Sequence, residues 1–83
     1  MKYSFPAIFE EDEEDKGFIN VTFPDIWGAV TFGEGMEDAR YMAQDLLKTV
    51  LQREYNREIK PKSLEQTKTN FPNKHIELVE VEI

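Results

Sequence analysis

Apolar residues recur along this chain with two different periods, and the change of period divides it. From Lys2 to Phe9, the residues Tyr3, Phe5, Ala7 and Phe9 alternate with Lys2, Ser4, Pro6 and Ile8, the period of two expected of a half-buried strand. Pro6 has no N–H to give to a ladder, so it places this strand at an edge or requires a local bulge. Ile19, Val21 and Phe23 alternate in the same way over residues 18 to 23 and predict a second strand. Pro24 to Gly28 reads as a turn, because Pro24 fixes its own φ and Gly28 can take a positive one. Residues 29 to 33 predict a third strand with Val30 and Phe32 on the core face. Three strands with short links make an antiparallel meander.

The period then lengthens. Met36, Ala39, Met42, Ala43, Leu46, Leu47, Val50 and Leu51 fall in steps of three and four, which predicts a helix from Met36 to about Tyr55. Glu37 and Asp38 suit its first turn, where negative charge meets the positive end of the helix dipole. "REYNRE" marks a fraying end. Residues 58 to 74 are polar, contain two prolines and read as a long surface connection, with Ser63 placed to cap one helical turn around "LEQ". The closing segment "HIELVEVEI" predicts a fourth strand. Its Ile76 and Leu78 lie out of phase with Val79, Val81 and Ile83, which suggests a bulge near residue 78.

The expected architecture is therefore α+β, in the order β-β-β-α-β. One long helix covers one sheet face, and the fourth strand crosses over to lie beside the first and parallel to it. The other face would carry Ser4, Pro6, Ile8, Phe18, Asn20, Thr22, Thr31, Glu80 and Glu82, a mixed and largely polar set. No internal repeat is visible.

Eighty-three residues suffice for a single domain spanning 1–83 with a modest core. The absence of cysteine leaves stability to packing and fits a reducing, cytoplasmic setting. No segment is apolar enough to span a membrane, and the N-terminus does not read as a signal peptide.

Charge adds more. The formal net charge is −7, and Glu10, Glu11, Asp12, Glu13, Glu14 and Asp15 are consecutive carboxylates. Such a block repels a phosphate backbone and argues against direct nucleic-acid binding. It suits either a solvated hairpin tip or the steering of a basic protein. Phe18 and Ile8 on the open face are candidates for an interaction patch. Trp27, in a turn at a sheet end, reads first as a cover over the end of the core and alternatively as an aromatic anchor for a partner. Nothing suggests catalysis. The carboxylates sit in one loop, on the helix surface and on the outer face of the last strand, rather than converging as a two-metal nuclease needs. His75 has no second histidine or cysteine for a metal site, and the glycines match no phosphate-binding loop. No catalytic residue, metal site or cofactor is expected.

The run "KYSFPAIFEEDEEDKGFINVTFPDIWGAVTFGEGMEDA" resembles the start of the HicB family of bacterial antitoxins. Its most specific piece is the Phe-Pro-Asp-x-x-Gly turn, here Phe23, Pro24, Asp25 and Gly28. The later "IKPKSLEQ" is similar to the family's Pro-x-Pro-Ser segment, and "HIELVEVEI" to its closing strand. The resemblance implies a partial RNase H-like fold and an interaction role. It implies a role in masking a small basic HicA toxin, which cleaves mRNA. Two departures stand out: Trp27 occupies a position where the family commonly has proline, and no DNA-binding segment follows the fourth strand, which puts repression in doubt.

The function expected from the residues and the resemblance together is a HicB-like module binding a HicA-type toxin. Its candidate contacts are Glu10 to Asp15, Phe18 and Trp27, and self-association into a homo-oligomer is expected. The alternative is a free-standing homo-oligomeric regulatory or small-molecule-binding domain with no toxin.

Overall fold

The computed structural model describes all residues, 1–83. Strands β1 (Lys2–Glu11), β2 (Phe18–Thr22) and β3 (Val30–Glu34) form the expected antiparallel meander. Helix α1 (Gly35–Leu51) follows, then a 3-10 turn (Glu54–Glu58), a short helix α2 (Leu64–Asn70) and strand β4 (His75–Glu82). The sheet order is β3-β2-β1-β4, so the fourth strand does lie beside the first.

Its direction differs from the expected one: β4 runs antiparallel to β1, with Lys2 opposite Glu82 and Phe9 opposite His75. The long connection explains the reversal. The start of α1 lies at the β1–β2 hairpin, where Gly35 N–H donates to the Gly17 carbonyl at 2.7 Å. Helix α1 therefore delivers the chain to the far end of the sheet, and a strand entered there directly would run parallel to β1. Residues 52 to 74 instead carry it back over the opposite face to the hairpin end, where Lys74 pairs with Glu10. That second crossing contains α2, whose N-cap is Ser63 as expected; the Ser63 hydroxyl accepts from Gln66 N–H at 3.0 Å.

Neither expected bulge forms, because the β1–β4 register is continuous through Pro6–Leu78. Pro6 sits inside the sheet because β2 pairs with β1 only from Ile8 onward, leaving residue 6 with a neighbour on one side. The phase of Ile76 is real rather than bulged. Pro6, Ile8 and Ile76 are buried on the face opposite α1, where α2 packs on β1 and β4 with Thr67 buried. That half of the second face is a small core rather than a polar surface.

On the first face, Phe5, Ala7, Phe9, Val21, Phe23, Val79 and Val81 meet Ala39, Ala43, Leu47 and Leu51 of α1. The third strand enters this core in the opposite phase to the one expected. Val30 and Phe32 are 62% and 60% exposed, whereas Gly33 lies under the helix. A Cβ on Gly33 would stand 2.4 Å from the backbone nitrogen of Ala39, so only glycine admits the helix this close. Helix α1 also ends at Leu51, before the predicted Tyr55. The segment read as fraying closes the helix: the Asn56 amide donates to the Val50 carbonyl at 2.7 Å, and Arg57 Nε donates to that of Leu51 at 2.6 Å.

At the β4 edge, Arg40 of α1 grips Glu77 through two N–H···O bonds of 2.9 and 2.7 Å, with His75 Nε2 2.8 Å from the same carboxylate. The Arg40 hydrogen bond holds the Glu77 carboxyl down at about 2, against the opposing effect of partial burial.

Gly33→Ala is expected to force α1 off the sheet and cost about 3 kcal/mol, read from urea unfolding midpoints; a loss under about 0.5 kcal/mol would mean the helix yields freely. Because the folded Glu77 pKa lies below its ordinary 4.5, the stability it contributes is complete above pH 4.5 and fades as pH falls toward about 2. Glu77→Gln should therefore flatten the acid limb of stability against pH and remove about 0.5–1 kcal/mol at neutral pH, the worth of a pair whose arginine is solvent-screened. An unchanged acid limb would assign that limb to other carboxylates.

Candidate functional site

The hairpin tip is built by one of its own acids. Asp12 Oδ2 accepts from the N–H groups of Asp15 at 2.9 Å and Glu14 at 3.2 Å, and Oδ1 accepts from the Asn20 amide at 2.9 Å. The Asn20 bond above all, with the two backbone donors, lowers the Asp12 pKa below its ordinary value. Glu10 is paired with Lys74. Two of the six consecutive carboxylates thus hold structure. Glu11, Glu13, Glu14 and Asp15 carry no ion pair or side-chain hydrogen bond and stand in solvent as free negative charge.

The turn after β2 explains its own residues. Phe23 N–H donates across it to the Ala29 carbonyl at 3.0 Å, and Gly28 takes φ +76°. The Asp25 carboxylate, nearly buried, accepts from the Lys62 backbone N–H at 3.1 Å and meets its ammonium at 3.2 Å. It thereby ties the turn to the segment leading into α2. Ile26 and Ala29 fill the end of the core. Trp27 does not cover the core, contrary to its first reading: it is 100% exposed, because Ile26 already occupies that space. It stands at the mouth of a cleft of about 530 Å³ with Leu46, Val50, Tyr55 and Ile59.

The candidate residues therefore fall into two groups at opposite ends of β2. The carboxylates and Phe18 lie at the hairpin end, and Trp27 lies at the turn end. Ile8 drops out of the proposed patch, since α2 buries its face. Phe18 gains neighbours that the sequence reading had placed inside. Its ring is 5.9 Å from that of Phe32, centroid to centroid, with a tilt of 60°. Register sets out the rest of this face: Val30 lies opposite Thr22, Phe32 opposite Asn20, Glu34 opposite Phe18, and Asn20 opposite Glu10 on the next strand. The site is an apolar and polar platform on β2 and β3 with carboxylates at its hairpin end. It suits binding to another surface. His75 and Arg40 both engage the Glu77 carboxylate, and no three acidic or histidine side chains are grouped to hold a metal ion. No helix is long and apolar enough to cross a membrane.

No family model and no curated protein matches the sequence significantly. Solved structures do match the fold. A chain of a toxin–antitoxin complex from Streptococcus pneumoniae superposes with a TM-score of 0.76 at 21% identity, over 99% of this chain and 70% of that one. The N-terminal domain of the Burkholderia pseudomallei antitoxin HicB superposes with a TM-score of 0.73, again at 21% identity, over 98% of this chain and 100% of that domain. The likeness suggested by the Phe-Pro-Asp-x-x-Gly turn and its flanks therefore holds over the whole chain in three dimensions: this chain has the fold of the HicB N-terminal domain.

Proposed function

We infer that this chain is an antitoxin-type module that binds a small basic HicA-type toxin and masks its mRNA-cleaving surface, acting by binding rather than by catalysis. The observation that carries this reading is the likeness of fold, over 99% of the chain, to a component of a toxin–antitoxin complex. The charge distribution supports it. A net charge of −7, with four unpaired carboxylates gathered at one hairpin, draws a cationic protein toward that end of the molecule before contact.

Self-association is a second reading, favoured by Trp27 and by Tyr55, 66% exposed, around an apolar cleft set apart from the carboxylates. In that reading the chain is a free-standing regulatory domain.

Co-expression with a candidate small basic toxin, such as one encoded beside this chain's gene, with only one of the two tagged, separates these readings. A stoichiometric complex that suppresses RNA cleavage is expected; elution of this chain alone as a homo-oligomer, with cleavage undiminished, would overturn the antitoxin reading. Within a complex, Glu11→Gln, Glu13→Gln, Glu14→Gln and Asp15→Asn together should slow association roughly tenfold at low salt and flatten its salt dependence, as measured by stopped flow. An unchanged on-rate would remove steering from the mechanism.

A further inference from the structure

We propose that the exposed half of the second sheet face, built by Phe18, Asn20, Thr22, Val30 and Phe32, is the docking platform for the partner, and that it receives an amphipathic element bearing apolar side chains flanked by lysine or arginine. The proposal gives the masking interaction a location and rests on the antitoxin reading for the identity of the partner.

Three observations lead to it. The second face is covered over only half its width. Helix α2 has seven residues, about 10 Å of helix, and packs on β1 and β4. Beyond it, Val30 and Phe32 project from the edge strand β3 at more than half exposure, and Phe32 is stacked obliquely on Phe18. Two aromatic rings and a valine clustered on an uncovered sheet face form an apolar patch rather than a scattered set of exposed residues. The third observation is charge. The cross-strand row through Phe32 and Asn20 continues to Glu10, and the row through Phe18 ends in Glu34. Asp12 is fastened to Asn20, and the unpaired carboxylates of the hairpin follow directly. Glu10 is held by Lys74, but Glu34 and the four unpaired hairpin carboxylates remain; a second copy of this chain, itself at net charge −7, would add like charge to them, whereas a cationic element would pair with them. Charge complementarity therefore selects a basic partner. The arrangement is that of an interface with an aromatic centre and a charged rim.

The test uses the full chain, isotopically labelled, and two ligands. The first is a synthetic helical peptide with leucines along one face and lysines along the other; the second is the small basic protein of the co-expression experiment. Backbone amide shifts on adding the peptide should trace Phe18, Asn20, Thr22 and Phe32. Phe18→Ser with Phe32→Ser should weaken binding at least about tenfold while the melting temperature stays near that of the native chain. If that variant fails to fold, Phe32→Lys serves instead, since it alters only an exposed position and places a like charge opposite the ligand. Trp27→Ala, at the other end of β2, should bind as the native chain does. A peptide footprint centred on Trp27 and Tyr55, or no binding, would overturn the proposal. The same footprint with the basic protein would support both the surface and the antitoxin reading. A complex with that protein made elsewhere on the chain would overturn the surface and leave the antitoxin reading intact. Peptide binding on this face without any toxin complex would support the surface and sink the antitoxin reading.

Discussion

The backbone of α1 rests directly on Gly33, and much of the molecule follows from that contact. A side chain there would meet the Ala39 backbone well inside contact distance, so the helix can settle only over a glycine, and it presents its smallest buried residues, Ala39 and Ala43, in its first half. Leu47 and Leu51 follow in the second half and complete the same core with Phe5 and Phe23. Once Gly33 faces the helix, strict alternation along β3 sends Val30, Phe32 and Glu34 to the other side. The apolar platform of the second face is the obligatory complement of a close helix–sheet contact on the first.

This is also where the sequence misleads. Periodicity reads apolar side chains as inward, and it serves well for β1 and β2, where Phe5, Ala7, Phe9 and Val21 are all buried. In β3 the inward residues are Thr31 and Gly33, which carry almost no hydrophobic signal, and the outward ones are Val30 and Phe32, which carry a strong one. A glycine inside a strand can mark close approach of another backbone, and that was the signal available at Gly33. The stripe of α1, the N-cap at Ser63 and the Phe-Pro-Asp-x-x-Gly turn were legible because each depends on local chemistry. The direction of β4 was not, because it depends on whether residues 52 to 74 cross the sheet again, which local patterning does not encode.

The candidate site was legible in the same uneven way. The acidic block and Phe18 could be picked out from composition and alternation. Which acids are free could not, since Glu10 depends on Lys74, 64 residues away, and Asp12 on Asn20 across the hairpin. Trp27 was conspicuous as the only tryptophan, yet its place inside or outside the core turned on Ile26, its immediate neighbour, filling that space first.

The excess of 17 acidic over 10 basic residues is not spread evenly in its roles. Asp25 with Lys62, Glu77 with Arg40, Glu10 with Lys74 and Glu82 with the terminal amine each join segments far apart in the chain. Each such pair uses a cation to fix the return path of residues 52 to 74 or the edge strand that follows it. Apart from Lys74 on Glu10, these cations lie away from the hairpin, so Glu11, Glu13, Glu14 and Asp15, beside the single Lys16, keep an excess of negative charge at one end of the sheet. A fold that ties its long connection with lysines and arginines thus leaves a net negative field beside Phe18 and Phe32. The ion pairs that hold the second crossing in place leave the platform's rim acidic, and in that way the topology of the chain supports the cationic partner proposed for this face.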